Sequence, residues 1–543
     1  RELFSSQLDS GRFLAPTTGQ LQSVEPFVFY QLLMSATDHL YLSCAISKDG
    51  KEQLVSNFVQ RLLKQFEIEE FDGSLNQQKR FEQGDFVVPF ELFTTLLLKM
   101  RENKFKEKDE IDFLWKLIPH LLKGDATFSS NYHALLASVF RLNVASKLPL
   151  SLAQELYGNQ LNLSTSQIET YYKDPFSHFL QYGLRLKERQ EFELSPANTG
   201  EYFHEFFDQF IKELNALGLS LRDLTLEQKL AIEKDIFNRM KDNPKFAILG
   251  SSRRLNFVQG LLHQTLMQTT NALQKQALTL ETKPWMTEVV FGTSGNYPIH
   301  IPIGKNQSIH LRGKIDRIDL LQSDNGIYNG IIDYKSSEQR FEIAKLIAGV
   351  QIQLLTYLKV SEEIIRSEKG VIPTPLEASY IHVHNPKFSI KAVPTEDKFM
   401  QEWTKAFKHR GLVNSDEIAR LNPELVETSK SNVLNVALKK DGGISATYKN
   451  GVYTTEELKL FKDFVWEKIQ EAGKGILSGD ITLAPYEDFK QYADSVTGKF
   501  SSIAQFDATN PENSYRTLPK FEKEEGITFI QEELQEKKGE TEE

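Results

Sequence analysis

The chain has 543 residues, of which 40% are hydrophobic, 25% charged and 11% aromatic. That length allows about three or four domains of ordinary size, and 37 Phe with 18 Tyr exclude a disordered chain. A single cysteine, Cys44, excludes disulfide scaffolds, cysteine-based zinc sites and iron–sulfur clusters, while 64 Lys plus Arg against 74 Asp plus Glu give a net charge of −10 that, as a bulk property, argues against nucleic-acid binding.

No apolar run approaches the roughly 18–20 residues of a membrane span, so the protein is not expected to be membrane-embedded. The first residues, Arg1-Glu2-Leu3-Phe4, contain no initiator Met and lead into no signal pattern; a piece of a longer chain is expected. Pro26 to Ser35 carries apolar residues at mixed helical spacing, His39 to Ala45 is a short β-rich run, and Gln53 to Phe66 is amphipathic. Phe71 to Ser74 reads as a turn, and Pro89 to Leu152 as a helical connecting region with a packed core.

A second unit opens near Ser164 and Thr165, natural N-caps, followed by two helices separated at Pro175. Helices continue over Gly200 to Ala216, Thr225 to Met240 and Lys245 to Leu278. The texture then changes to strand, with Glu288 to Gly292, His310 to Leu321 and Ile327 to Lys335; Asp324-Asn325-Gly326 marks a hairpin between the last two. Phe341 to Val360 is predicted helical, Leu376 to His384 a strand, and Thr454 to Leu477 a further helix. From Pro511 to Glu543, ten acids face five bases, a net of −5 that predicts a solvated or disordered tail.

The hairpin carries the chemistry. Asp316 lies on its first strand and Asp333 and Lys335 on its second, where alternation puts Asp333 and Lys335 on one face and Tyr334 on the other. Carboxylate oxygens suit Mg²⁺, and a lysine beside them can orient a water or offset charge on a phosphoryl transition state. Taken alone, D-x-K reads as a surface ion pair, with Asp316 satisfied by Arg317 or Arg312. A histidine such as His204 on an apolar helix reads as a core residue, and Gln353 and Tyr357 as helix packing.

The surroundings change that reading. Gly313-Lys314-Ile315-Asp316-Arg317-Ile318-Asp319, a turn, Ile331 to Ser337, and a helix with Gln353 and Tyr357 one turn apart resemble the RecB-type nucleases of the PD-(D/E)xK superfamily. The constellation is more similar still to the AddB/RexB subunit of the bacterial helicase–nuclease that processes double-strand breaks for homologous recombination. Leu163 to Arg189 resembles that family's opening helices, Gly200-Glu201-Tyr202-Phe203-His204 its G-x-x-x-H, Gln505-Phe506-Asp507 and Tyr515-Arg516 its end, and the stretch from Phe27 to Ala45 a degenerate helicase motif VI.

The resemblance implies an α/β protein with a PD-(D/E)xK core, a small mixed sheet flanked by helices, preceded by a helicase-like remnant and a helical connector. The divisions expected are 1–75, 76–160, a nuclease domain over 161–510 and an acidic tail over 511–543. It implies His204, Asp316 and Asp333 as Mg²⁺ ligands with the Tyr334 carbonyl as a fourth, Lys335 as catalytic lysine, and Gln353 and Tyr357 supporting the site. Arg312, Lys314, Arg317 and Arg340 are candidate DNA contacts.

The implied activity is 5′→3′ cleavage of single-stranded DNA by a cytoplasmic bacterial heterodimer with an AddA-type motor subunit. Two alternatives are an inactive DNA-binding scaffold for the motor and a stand-alone nuclease. The family commonly holds an iron–sulfur cluster on four cysteines, but Asp174 precedes Pro175-Phe176 here and Ala504 precedes Gln505-Phe506. The cluster is therefore expected to be absent, with Phe500, Ile503 and Phe506 packing in its place. Gly304-Lys305-Asn306 fails the Walker A pattern, so these residues alone are not expected to hydrolyse ATP.

Overall fold

The computed structural model describes residues 18–45, 47–48, 51–66, 68, 97, 147–187, 194–292, 297–388, 395–489, 500–506 and 513–542. The turn at 71–74, most of the helical connector, Glu188, Arg189 and Asp507 lie outside these residues. The chain divides into two units, Arg1–Arg141 and Leu142–Glu543.

In the first unit, helix α1 (Thr18–Met34) begins eight residues before the expected start and carries Pro26 in its interior. The β-rich run His39 to Ala45 has no regular structure; a two-residue antiparallel pair, β1 (Ser47–Lys48) and β2 (Lys51–Glu52), follows it. Helix α2 (Asn57–Gln65) starts at Ser56, whose side chain accepts the Phe58 N–H.

The second unit is built on one mixed sheet. Its strands are β3 (Gln160–Ser164), β4 (Lys283–Phe291), β5 (Ile299–Gly304), β6 (Gln307–Ser323), β7 (Gly326–Lys335), β8 (Thr374–His382), β9 (Arg410–Asn414) and β10 (Val452–Tyr453). The order is β10-β9-β8-β7-β6-β3, with β4 and β5 also pairing β6. The long β6 is the organising strand: its first half pairs β3 and β5, its second half β4 and β7. The hairpin turn is where the Asp-Asn-Gly signal put it, with Ser323 opposite Gly326. Strand β8 runs parallel to β7, as a helical crossover between them requires.

Both sheet faces are covered, which is why β7 is buried along almost its whole length. On one side, Ile315, Ile318 and Ile331 pack with Leu354, Leu355 and Leu358 of helix α6 (Gln353–Lys369) and with Phe461, Phe464 and Val465 of α7 (Thr455–Leu477). On the other, Ile332 and Tyr334 meet Tyr202, Phe203, Phe206, Phe207 and Phe210, an aromatic stripe on helix α3 (Pro196–Ala216). Helices α4 (Leu226–Lys241) and α5 (Arg253–Thr279) complete that layer. Each aromatic of the stripe contributes on the order of 2–3 kcal/mol by burial.

The predicted helix Phe341 to Val360 is two helices. Ile343–Ile347 ends at Gly349, whose φ of +73° and closeness to the Tyr172 ring admit only glycine, and α6 starts afterwards. The expected solvated tail is also corrected. Lys523–Glu542 forms helix α8, which buries Ile530 fully in the main core with Ile527 and Leu534 beside it. Glu533 lies 3.1 Å from Lys468 and 3.2 Å from Lys537, so one acid of the run is partnered, while Glu522, Glu524, Glu525, Glu532 and Glu536 are exposed. At the place expected to be packed instead of holding a cluster, Phe176, Leu180, Ile481, Leu483 and Ala504 form a small core joined by Phe500 and Phe506. Ile503 does not join it, being 46% exposed.

Candidate active site

The hairpin register fixes the first three groups. Arg317 pairs Ile332, so Asp316 and Asp333 stand opposite each other, and Lys335 lies two residues further along β7. Lys335 Nζ is 2.6 Å from Asp333 Oδ2 and donates to Gln353 Oε1 at 3.1 Å. Gln353 in turn donates its Nε2 to Asp333 Oδ1 at 3.0 Å and to the Tyr357 hydroxyl at 3.2 Å. One amide at the start of α6 therefore fixes carboxylate, ammonium and phenol together.

Asp316 Oδ2 accepts the backbone N–H of Tyr334 at 2.9 Å and lies 3.2 Å from His204 Nδ1. His204 is delivered by α3, whose Ser195 and Asn198 form a capping box and whose phenylalanines seat it against the sheet. The motif glycine Gly313 is explained by contact: a Cβ there would meet the Phe291 ring at 2.6 Å.

Glu288 completes the cluster, and no sequence signal singles it out. It sits inside β4, its Oε1 is 3.8 Å from His204 Nδ1, and its Oε2 pairs with Lys314. Its φ of +49° is left-handed, a conformation that costs about 1–2 kcal/mol per residue outside glycine and that gathers at functional sites. Ligand atoms of His204, Glu288 and Asp316 all lie within 4.8 Å of one another.

The electrostatics follow from burial and crowding. Burial pushes the Asp333 carboxyl up to about 6 against the pull of Lys335. Burial works against the Lys335 ammonium, yet Asp333 and Asp316 outweigh it and hold the group above its ordinary value. Glu288 is raised by burial, partly offset by Lys314, and His204 is raised because Asp316 overcomes its desolvation.

The donor set fits a divalent cation. His204 Nδ1 and Asp333 Oδ2 are buried with no hydrogen bond of proper geometry, despite the nearby Asp316 and Lys335. The His204 imidazole and the Glu288 and Asp316 carboxylates are together suited to a hard divalent cation, with Asp333 facing Asp316 across the hairpin.

The candidate DNA contacts divide. Arg312 is exposed, Lys314 is half exposed beside Glu288, and Arg340 is exposed and donates to Glu338 at 2.7 Å. Arg317 is corrected: it is buried, clamps Asp319 with two bonds of 2.6 Å, and donates to the Tyr334 hydroxyl at 2.9 Å. Tyr334 stacks on Phe207 with centroids 4.2 Å apart, so Arg317 belongs to the wall joining the hairpin to α3. Alternation from Asp316 to Arg317 is the sequence signal that puts them on opposite faces.

A second unforeseen residue is Glu169, on the helix Thr165–Lys173. One oxygen accepts the N–H groups of Ile352 and Gln353 at 2.8 and 3.1 Å, capping the start of α6. Among the described residues, no helix is long and apolar enough to cross a membrane.

The sequence is 29% identical over 537 residues to the B subunit of the ATP-dependent helicase/deoxyribonuclease of Bacillus thuringiensis subsp. konkukian (strain 97-27), covering 97% of this chain and 46% of the relative. Proteins of the same name from Bacillus anthracis and Bacillus mycoides (strain KBAB4) match with the same identity and coverage. The chain is a homologue of these B subunits and spans about half their length. The sequence signature of the PD-(D/E)XK nuclease superfamily covers residues 162–486, more than half of the chain and the whole of the cluster described above. The chain belongs to the PD-(D/E)XK nuclease superfamily.

Proposed function

We propose that the chain is the nuclease-bearing part of a helicase/deoxyribonuclease B subunit, a Mg²⁺-dependent enzyme that cuts single-stranded DNA in the 5′→3′ direction during break processing. The observation that carries this reading is the meeting of Asp316, Asp333 and Lys335 on one hairpin, with His204 delivered beside them and its ligand atom within 4.8 Å of those of Glu288 and Asp316. His204, Asp316 and Asp333 would hold the ion, joined by Glu288 and the Tyr334 carbonyl. A divalent cation bound there supplies Lewis-acid polarisation of a phosphoryl oxygen.

The remaining steps belong to the chain's own groups. Lys335, held charged by its two acids, offsets negative charge developing on the phosphoryl group and orients the attacking water. Gln353 keeps Lys335 and Asp333 in register, and Tyr357 fixes the amide. Arg312, Lys314 and Arg340 would steady the strand, so the net charge of −10 does not oppose binding: the site's own acids would be balanced by the cation. An AddA-type motor subunit would feed the strand and supply ATP hydrolysis. In this reading residues 1–75 are the helicase-like remnant, 76–160 the connector and 161–510 the nuclease.

Lys335→Ala and Asp333→Ala, assayed on end-labelled single-stranded DNA with the partner subunit present, test this. Cleavage should fall by at least about 10²-fold while DNA and partner binding persist. Wild-type cleavage by either variant would remove the assignment, and a wild type that binds but never cuts would favour a scaffold.

A further inference from the structure

The catalytic row continues past the site. Asp333 on β7 is the ladder partner of Tyr380 on β8, and Tyr380 is the partner of Arg410 on β9. Paired residues on neighbouring strands share a face, so Arg410 stands on the face of Asp333 at two strand spacings, about 10 Å. His382 is likewise the partner of Lys335, and His384 follows beyond Val383, whose N–H donates to the Lys335 carbonyl at 2.8 Å. The two imidazoles stack with centroids 4.0 Å apart and planes 9° apart.

Three residues after Lys335, the carboxylate of Glu338 meets this group. Its Oε1 accepts from Arg340 Nη2 at 2.7 Å and Nε at 3.1 Å, and the same oxygen pairs with Arg410 Nη1. Two guanidinium groups from separate elements thus converge on one anionic oxygen, the arrangement that also receives a phosphodiester. Arg410 is anchored in the sheet at 22% exposure, whereas Glu338 is 47% exposed on a loop. An ion pair that open is weak, so the carboxylate is the partner that can leave.

We propose that Arg340 and Arg410, with His382 and His384 beside them, form a subsite for a backbone phosphate of the strand being cut, and that Glu338 fills it until DNA arrives. The inference rests on the nuclease reading above and deepens it: the site would grip its substrate by phosphate next to the scissile bond, without reading sequence.

The test uses the full-length protein, a fluorescein-labelled single-stranded oligonucleotide, and binding measured in EDTA over a range of salt, with cleavage kinetics in Mg²⁺. Arg410→Ala and Arg340→Ala should each weaken binding by about tenfold, with the salt slope shallower by about 0.7 for each lost phosphate contact. The effect on cleavage should fall on KM more than on kcat. Arg410→Lys should recover part of the affinity, and Glu338→Gln, an exposed change that does not threaten folding, should tighten binding. Wild-type affinity and slope in both arginine variants, or weaker binding by Glu338→Gln, would overturn the subsite. Asp333→Ala separates the two ideas: cleavage lost there with no binding change at Arg410 overturns only the subsite, whereas arginine-dependent binding by a wild type that never cuts overturns only the nuclease reading.

Discussion

Replacing Arg317 with methionine leaves Asp319, 2% exposed, as an uncompensated charge under the hairpin. The lost interactions are two bonds of 2.6 Å to Asp319 and one of 2.9 Å to the Tyr334 hydroxyl. Breaking one side of such a buried pair costs about 3–5 kcal/mol. By comparison, Arg340→Ala removes a pair whose arginine is 71% exposed and should change stability by no more than about 1 kcal/mol. Urea unfolding of the two variants should therefore separate them clearly, with Arg317→Met shifting the midpoint and Arg340→Ala leaving it in place. The double variant Arg317→Met/Asp319→Leu should regain part of the loss, because replacing both charges removes the stranded carboxylate. If Arg317→Met kept wild-type stability and instead raised KM for DNA, the arginine would be a DNA contact and not part of the buried wall.

Glu169 and His178 lie outside the cluster of His204, Glu288, Asp316 and Asp333 and give two further tests. Glu169→Ala removes the cap on two N–H groups at the start of α6 and should cost about 1 kcal/mol, with a fall in kcat as Gln353 loses its position; Glu169→Gln should retain part of both, and an unchanged kcat in the alanine variant would contradict the positioning role. His178 is enclosed by Tyr157, Tyr171 and Tyr182, and burial pulls its pKa down to about 4. The unfolded chain takes up that proton near pH 6.5 and the folded one only near 4, so stability is lost as pH falls between those values, by about 2 kcal/mol at pH 5. Denaturation of wild type and His178→Phe at pH 7.5 and pH 5 should show this component only in the wild type; equal pH dependence in both would refute it.

What could be read from the sequence is what local rules determine. Asp324-Asn325-Gly326 set the hairpin turn, the turn set the register, and the register set Asp316 against Asp333 with Lys335 beside them. Glu288 is out of reach because its place depends on β4 pairing the middle of β6, which no local signal gives. Glu169 caps residues more than 180 positions away, again a tertiary fact. Composition misplaces Arg317, as one of several bases near a proposed DNA site, although alternation along β6 is enough to put it on the buried face. The acidic tail misleads in the same way: counting its charge hides Ile527, Ile530 and Leu534, whose spacing suits one face of a helix.

We propose a metal-dependent nuclease centre on the β6–β7 hairpin. It is tested most directly by single-turnover cleavage of single-stranded DNA as Mg²⁺ is titrated into metal-free wild type, Asp316→Ala and Asp333→Ala. Saturable Mg²⁺-dependent cutting by the wild type, abolished by EDTA and absent from both variants at every Mg²⁺ concentration, is the predicted result. Cutting that persists in EDTA, or variants that match the wild type, would contradict it.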